Sequence, residues 1–327
     1  MSMMRGKLGN ARATGHRALS WVPVALLVLM ASACDNSNTS DPATGGDSRT
    51  VSHAMGETTV SGAPKRVVVL DTGELDSVVT LGVTPVGAVA VSPDIGFPEY
   101  LTGDLTDVTE VGTIAEPNLE TIASLKPDLI LSNKLRHEAI YSQLSEIAPT
   151  VLTETVGATW KENFELHAEA LGLSDEAQDQ LGDYDDATAK LRKDLGSDVD
   201  TTVSVIRSLG DEVRIMMKDS FIGAVIADVG LPRPPAQDKD VFMEEASLDR
   251  VPDMDGDVMF VSRFDDANDK LETLMASPAW EQLAAVQNDD VHEVPDDYWE
   301  LGTGMGAAQL VVGDLDKILG ELGTSSE

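Results

Sequence analysis

Residues 117–130, PNLETIASLKPDLI, predict a capped helix, a tight break and a buried strand in direct succession. Asn118 is a residue type that caps helix N-termini, and residues 119–125 continue as the helix. The Lys-Pro-Asp sequence at 126–128 ends it, because proline cannot extend a helix. Residues 129–131 are wholly apolar, as expected of a strand buried on both faces. A helix followed at once by a buried strand is typical of α/β folds.

The same alternation continues on both sides of this stretch. Apolar runs predict strands at 66–70, 86–91, 110–112 and 150–152, with helices at 74–81 and 136–147. A second such region predicts strands at 202–206, 212–217, 258–261 and 291–294, with helices at 222–229, 271–275, 278–286 and 307–322. Short apolar strands that alternate with helices imply a parallel sheet with both faces covered.

The region between the two is helical almost throughout, from residue 160 to 196, with predicted breaks near Gly172 and Gly182. Its apolar positions 173, 177, 181, 184, 187 and 191 recur every three or four residues and form one stripe. We therefore predict an α/β protein whose parts are an N-terminal lobe at 55–159, a helical segment with a linker helix at 160–198, and a C-terminal lobe at 199–327.

The N-terminus has the pattern of an export signal. Four basic residues precede the apolar run 21–30, and small residues lead to Cys34, the only cysteine. The run is too short for an ordinary membrane span. We predict a signal peptide at 1–33, lipid attachment at Cys34 and a disordered, polar tether at 34–54. The motif resembles a bacterial lipobox but departs from it at Ala31. The alternative is an ordinary cleaved signal with an incidental cysteine.

Charge excludes one class of function. The chain has 23 basic and 57 acidic residues and a net charge of −34. Loss of residues 1–33 removes four basic residues and no acidic ones, which gives −38. Such a surface repels a phosphate backbone, so nucleic-acid binding is not expected. The acidity is also of the kind found in salt-adapted proteins.

Arginines are placed where an α/β sheet binds its ligands, at the carboxyl ends of strands. The candidate ligand-binding arginines are Arg136, Arg207 and Arg263, which follow predicted strands, and Arg214, which lies within the predicted strand 212–217. Guanidinium groups carry a permanent charge and planar hydrogen-bond donors, which suit an anionic, oxygen-rich ligand. The alternative is that each arginine only pairs with one of the many carboxylates.

The scarce aromatic residues offer candidate pocket walls. Four of them fall in loops or at element ends: Trp160, Phe221, Tyr298 and Trp299. Such side chains can enclose a bulky, partly apolar ligand. The alternative is packing in the core or at a hinge.

Catalytic and metal-binding motifs are absent from the sequence. There is no Gly-x-Ser-x-Gly, P-loop or His-Glu-x-x-His motif, and the histidines after residue 34 include no close pair. We therefore expect no enzyme activity, no cofactor and no direct metal site. The glycine-rich stretch 302–306 is better explained as a loop that lines the cleft, or as turn chemistry, than as a phosphate site.

Several motifs resemble the class III substrate-binding proteins of ABC importers. They are 64–71, 81–87 and, most specifically, 117–130. Segments 132–138, 143–149, 220–223, 228–234 and 278–283 resemble the ferric-siderophore branch, especially binders of hydroxamate or citrate-type ligands. The resemblance covers roughly residues 50–322. It implies two Rossmann-like lobes joined by a single long helix, with the ligand between them.

The resemblance also implies function and partners. The expected ligand is an iron(III)–siderophore complex, captured by a monomer and delivered to an ABC permease with its ATPase for iron uptake. The expected location is the outer face of the cytoplasmic membrane, through the lipid anchor. Haem or cobalamin binding, and a ligand-sensing lipoprotein, are the alternatives within the same fold.

Site roles follow from the resemblance as well. Family members contact siderophore oxygens through cleft arginines flanked by aromatics, which fits the residues named above. They also dock on the permease through one acidic residue on each lobe. The Asn-Leu-Glu motif at 118–120 places the first acid at Glu120. The second falls at Asp249, within residues 247–250, with Glu244 or Glu245 as alternatives.

Overall fold

The computed structural model of the protein describes residues 48–264 and 269–325. The predicted signal peptide 1–33, the lipidation site Cys34 and the predicted tether as far as residue 47 lie outside these residues. Within them, no helix is both long enough and apolar enough to span a bilayer.

The first described residues form a hairpin whose first strand lies within the predicted tether. Strands β1 (Ser48–His53) and β2 (Gly56–Ser61) pair antiparallel, with only Val51 and Val60 buried. The tether prediction is therefore wrong for residues 48–54. So few inward apolar residues give a weak strand signal in the sequence. The Arg49 guanidinium fixes the hairpin by donating to the carbonyls of Gly62 and Ala170, at 2.7 and 2.6 Å.

The first sheet is wholly parallel, as predicted. Its strands, in the spatial order β5-β4-β3-β6-β7, are β3 (Val67–Val69), β4 (Gly87–Ala90), β5 (Thr109–Thr113), β6 (Leu129–Asn133) and β7 (Thr150–Thr153). The helices between them are α1 (Thr72–Thr80), α2 (Leu119–Ser124), α3 (Lys134–His137) and α4 (Tyr141–Ile147). Asn118 caps α2 as expected, because its side chain accepts from the Thr121 amide at 3.0 Å.

Two helices form the connection from the first sheet to the second. They are α5 (Trp160–Leu171) and the long α6 (Ser174–Leu195), separated at Gly172, whose φ of +78° ends α5. The predicted break at Gly182 is wrong: this glycine is exposed within α6, and packing on both sides of it keeps the helix continuous. The buried stripe includes Thr188 in place of the predicted Ala187.

The second sheet is mixed, which departs from the predicted parallel pattern. Its strands, in the order β10-β9-β8-β11-β12, are β8 (Val203–Leu209), β9 (Glu212–Met216), β10 (Met243–Glu245), β11 (Val258–Arg263) and β12 (Val291–Val294). Strand β9 runs antiparallel to both neighbours, because Gly210 (φ +67°) and Asp211 close a two-residue hairpin after β8. The remaining helices are α7 (Phe221–Val229), α8 (Asp269–Met275), α9 (Ala284–Gln287) and α10 (Met305–Ser325).

The last helix is fixed to the first lobe by a buried carboxylate. Helix α10 packs against α1, α5, α6 and α7. Asp76 on α1 accepts from the amides of Gly306 and Ala307, both at 2.9 Å, and from the Tyr100 hydroxyl at 2.6 Å. A Cβ at Gly304 would lie 2.3 Å from Asp76 Oδ1, so this approach requires glycine. The glycine-rich stretch 302–306 thus forms the turn that leads into the N-terminus of α10 and allows its close approach to Asp76.

Removal of the Asp76 charge should destabilise the protein. In Asp76→Asn, the side-chain NH₂ group replaces one of the two oxygens that accept from backbone N–H groups of α10. At least one of these two hydrogen bonds is therefore lost. We expect a loss of about 2 kcal/mol in the free energy of unfolding, measured by urea denaturation. Asp175→Asn, at an exposed position on α6, is the control and should change little. Equal stability of the two variants would contradict this account of the α1–α10 contact.

Candidate ligand-binding cleft

A cavity of about 370 Å³ lies between the two sheets. Its walls combine loops that follow strands of the first sheet with strand and loop residues of the second lobe. The first lobe contributes Asp71, Thr72, Ile114, Leu135, Arg136, Thr155 and Val156. The second contributes Arg207, Arg214, Phe221, Phe242, Glu300, Leu301 and Thr303. This is the position at which open α/β sheets bind ligands. Of the eight predicted ligand-binding residues, the structure brings together Arg136, Arg207, Arg214 and Phe221.

Arg136 is the most accessible of these arginines. It lies on α3, whose first turn is capped by Asn133, since Asn133 Oδ1 accepts from the Arg136 amide at 3.0 Å. The Arg136 side chain is 48% exposed, and its Nε lies 3.3 Å from Asp71 Oδ2. Within the described residues its two terminal nitrogens have no recorded partner, so they can donate to a ligand.

The two cleft arginines of the second lobe are held by carboxylates. Arg207 is 7% exposed and donates through Nε and Nη2 to the two oxygens of Asp296, each at 2.7 Å. Arg214 does the same to Glu212, at 2.9 and 3.0 Å. Both readings of the sequence therefore apply, because these arginines pair with carboxylates and also line the cavity. Bidentate pairing fixes the planes of both guanidinium groups.

Arg263 does not line the cavity, in contrast to the prediction. Its guanidinium lies 3.2 Å from Glu272 and 3.4 Å from Glu293, on α8 and β12. The position of Arg263 at the end of a strand places its backbone at the ligand-binding edge of the sheet. Its ion pairs with Glu272 and Glu293 direct the side chain away from the cavity.

Three predicted aromatic residues do not line the cavity: Trp160 and Trp299 are core residues, and Tyr298 is half-buried against the core. Trp160 is 1% exposed and packs edge-on against Tyr184, with ring centroids 5.1 Å apart. Trp299 is fully buried against Phe260, and its indole N–H donates to Asp314 at 2.9 Å. Tyr298 donates its hydroxyl to the same carboxylate at 2.8 Å.

Phe221 does line the cavity, and Phe242 was missed. Phe221 opens α7 after its cap Ser220, whose hydroxyl accepts from the Gly223 amide at 3.0 Å. Phe242 lies before the short strand β10 and is 43% exposed. No pattern in the sequence distinguished it. Asp71 and Thr72 were also missed, although their position directly after β3 was a usable signal.

A buried acidic pair lies behind the first-lobe wall. Asn133 Nδ2 donates to Asp71 Oδ2 at 3.0 Å and to Glu74 Oε1 at 3.2 Å. Burial, and then the charge of Asp71, raise the pKa of Glu74 to about 8. Glu74 is therefore mainly uncharged at neutral pH, and Asp71 is the acid that faces Arg136.

Glu300 occupies the corresponding wall of the second lobe. It lies on a single π-helical turn, Asp297–Leu301, a feature frequent at functional sites. Burial, with Asp296 adding to it, raises the pKa of Glu300 to about 8 against the opposing charges of Arg207, Arg233 and Arg214.

The cleft combines cationic donors with apolar walls. Ile114, Leu135, Val156 and the two phenylalanines supply the apolar surface. Among residues 48–264 and 269–325, no group of three or more His, Cys, Asp or Glu side chains is arranged to hold a metal ion. The arrangement suits a bulky organic anion, including one that carries its own metal.

Comparisons with known proteins agree with this architecture. A family model for periplasmic binding proteins matches residues 67–298. The chain is 38% identical to the probable siderophore-binding lipoprotein YfiY of Bacillus subtilis (strain 168), over 89% of this chain and 94% of that protein. It is 34% identical to the Fe(3+)-citrate-binding protein YfmC of the same organism, over 89% and 92%.

A solved structure extends the likeness to three dimensions. Staphylococcus aureus SirA, crystallised with staphyloferrin B, superposes with a TM-score of 0.76 at 36% identity and covers 83% of this chain and 98% of SirA. The two lobes, the helical connection and the cleft are thus those of class III binding proteins, as the sequence predicted. The chain belongs to the periplasmic binding protein family.

Proposed function

We propose that this protein captures a ferric siderophore of the hydroxamate or citrate type in its cleft and delivers it to an ABC importer for iron uptake. The observation that carries the proposal is the convergence of Arg136, Arg207 and Arg214 on one partly apolar cavity. Relatives whose names record siderophore or ferric citrate binding support it. The iron is cargo inside its chelator and needs no protein ligand.

Capture in this proposal has no chemical step. Arg136 approaches the ligand from the first lobe with two terminal nitrogens that no described residue engages, while Arg207 and Arg214 present fixed guanidinium planes from the second. The apolar walls contact the organic part of the chelate. The α5–α6 connection and the Asp76–α10 contact keep the lobes in register, so we expect only small hinge motion.

The anchor and location remain part of the proposal. We propose that the exported chain is a monomer held at the outer face of the cytoplasmic membrane by lipid on Cys34. Relatives named as lipoproteins support export and anchoring. Mass spectrometry of the membrane-extracted protein tests the anchor, and an unmodified Cys34 would exclude it.

Permease docking is proposed to use Glu120 and Asp249. Both side chains are exposed, and neither makes an ion pair within the described residues. The alternatives are already engaged: Glu244 pairs with Lys239 and Arg250, and Glu245 pairs with Lys270. A carboxylate that has no cation of its own is the better partner for an arginine on a permease.

A ligand panel tests the proposed function. The intrinsic fluorescence of the protein is titrated with ferric citrate, ferric hydroxamates, ferric catecholates, haem and cobalamin. The buried Trp160 reports on the cavity, because its ring lies 6.0 Å from that of Phe221. We expect tightest binding of ferric citrate or a ferric hydroxamate. Tighter binding of haem or cobalamin, or no binding of any ferric chelate, would overturn the proposal.

Charge reversal at Arg136 should weaken capture. In Arg136→Glu a donor becomes a third acid beside Asp71 and Glu74, and we expect affinity for ferric citrate to fall by roughly tenfold or more. Arg263→Glu is the matched control, since that arginine lies outside the cavity wall. The proposed pocket is wrong if the two variants bind the ferric chelate alike.

Neutralisation of the docking acids should separate binding from transport. Glu120→Gln and Asp249→Asn should bind the ferric chelate as the wild type does but reduce iron uptake by cells, with the double variant most affected. Glu176→Gln is the control, because Glu176 is another exposed acid in the first turn of a helix. Normal uptake in the double variant would remove both residues from this role.

A further inference from the structure

Glu300 lies in the cavity wall, and its carboxyl group makes no hydrogen bond to any of residues 48–264 and 269–325. Glu300 is 8% exposed, and its Oε1 is buried and unpaired within the described residues. Its turn is fixed to the opposite lobe, because the Thr72 hydroxyl donates to the Leu301 carbonyl at 2.6 Å. An unpaired polar atom in a rigid, buried position is costly unless something else satisfies it. Glu300 is thus positioned for a ligand.

Two of the nearby arginines are held by carboxylates, and the third is held only through one nitrogen. Arg207 and Arg214 each donate to a carboxylate of their own, as described above. Arg233, which follows α7, donates through Nη2 to the Met216 carbonyl and, at 2.7 Å, to Gln237 Oε1, while its buried Nε and Nη1 have no hydrogen-bond partner within the described residues. Glu300 forms no ion pair with any of the three within the described residues.

The other titratable groups on the elements packed against this turn are also engaged. On α10, Asp314 accepts from Tyr298 and Trp299. On the 3₁₀ turn Glu99–Asp104, Tyr100 donates to Asp76, and the Glu99 amide donates to Asp297. On α7, Asp228 accepts from Tyr184 and pairs with Lys161. None of these contacts reaches the Glu300 carboxyl, so burial favours its uncharged form.

We propose that Glu300 is a ligand-binding residue that acts as a neutral carboxylic acid and donates its O–H to an oxygen of the anionic chelate. The inference rests on the proposed function and deepens it, because it names how the second lobe recognises a ligand oxygen. An arginine-lined cleft disfavours the alternative, in which an ionised Glu300 pairs with a ligand ammonium. A neutral acid adds a donor without adding repulsion.

Capture then depends on pH. The pKa of Glu300 is raised to about 8, so the acid is mostly protonated at pH 7 and mostly ionised at pH 9. Ionisation removes the donor and places a negative charge against the anion. If only the protonated form binds, the apparent affinity falls about tenfold between these two pH values.

The test measures the affinity of the purified protein for ferric citrate by calorimetry at pH 7 and pH 9. Glu300→Gln keeps a neutral donor at both pH values, whereas Glu300→Ala removes it. At each pH the variant is compared with the wild type, which cancels pH effects on the ferric citrate itself. Glu74→Gln is the control, because Glu74 has the same raised pKa but does not line the cavity. Near-UV circular dichroism checks that each variant is folded.

The expected pattern is specific. Glu300→Gln should match the wild type at pH 7 and bind about tenfold tighter than it at pH 9, while Glu300→Ala should be about tenfold weaker at pH 7. Glu74→Gln should keep the wild-type loss between pH 7 and pH 9. A folded Glu300→Gln variant that binds much more weakly at pH 7 would overturn the inference, as would a pH dependence that only Glu74→Gln abolishes. If the wild type binds no ferric chelate at either pH, it is the proposed function that fails.

Discussion

The contact between Asp76 and the first turn of α10 holds the cleft together. A carboxylate at a helix N-terminus satisfies free amides and complements the helix dipole. Here the acid belongs to α1 and the amides to α10, the first and last helices of the described residues. The same junction brings Thr303 against Gly73 and the Leu301 carbonyl to the Thr72 hydroxyl. Two residues of this segment, Leu301 and Thr303, line the cavity, so the cleft wall and the joint between the lobes are one structure.

Local signals in the sequence were sufficient for the first, parallel sheet, for the helix cap at Asn118 and for three of the four predicted cleft arginines. They were insufficient wherever tertiary packing determines whether a side chain points into the cavity or away from it. Trp160 and Trp299 lie at element ends, as pocket aromatics do, but both turn into the core, and Arg263 turns towards Glu272 and Glu293. The β1–β2 hairpin has too few apolar residues to be distinguished from a polar linker. Phe242 reaches the cavity from a loop whose course depends on the whole lobe.

The local charge of the cleft explains how a protein with a large negative net charge can offer a site for an anionic ligand. Each cleft arginine has a carboxylate close to it, so the guanidinium groups are oriented but their charges are largely balanced. A surplus of positive potential then depends on Glu300, the acid in the cavity wall that burial keeps uncharged. Solvated acids elsewhere on the surface are screened over about 8 Å at physiological salt, and therefore contribute little inside the cavity.

The hairpin at the start of the described chain has a mechanical consequence. Arg49 and the Ala54 amide fix it to α5 and β7, so any pull from the N-terminus acts on the first lobe and on the start of the helical connection. From Cys34 to Ser48 the chain can extend roughly 50 Å at most, a length of the order of the protein itself. With the lipid on Cys34 that we propose, so short a tether would hold the receptor at millimolar effective concentration around a neighbouring permease. Modest intrinsic affinity between the two would then be sufficient for repeated docking.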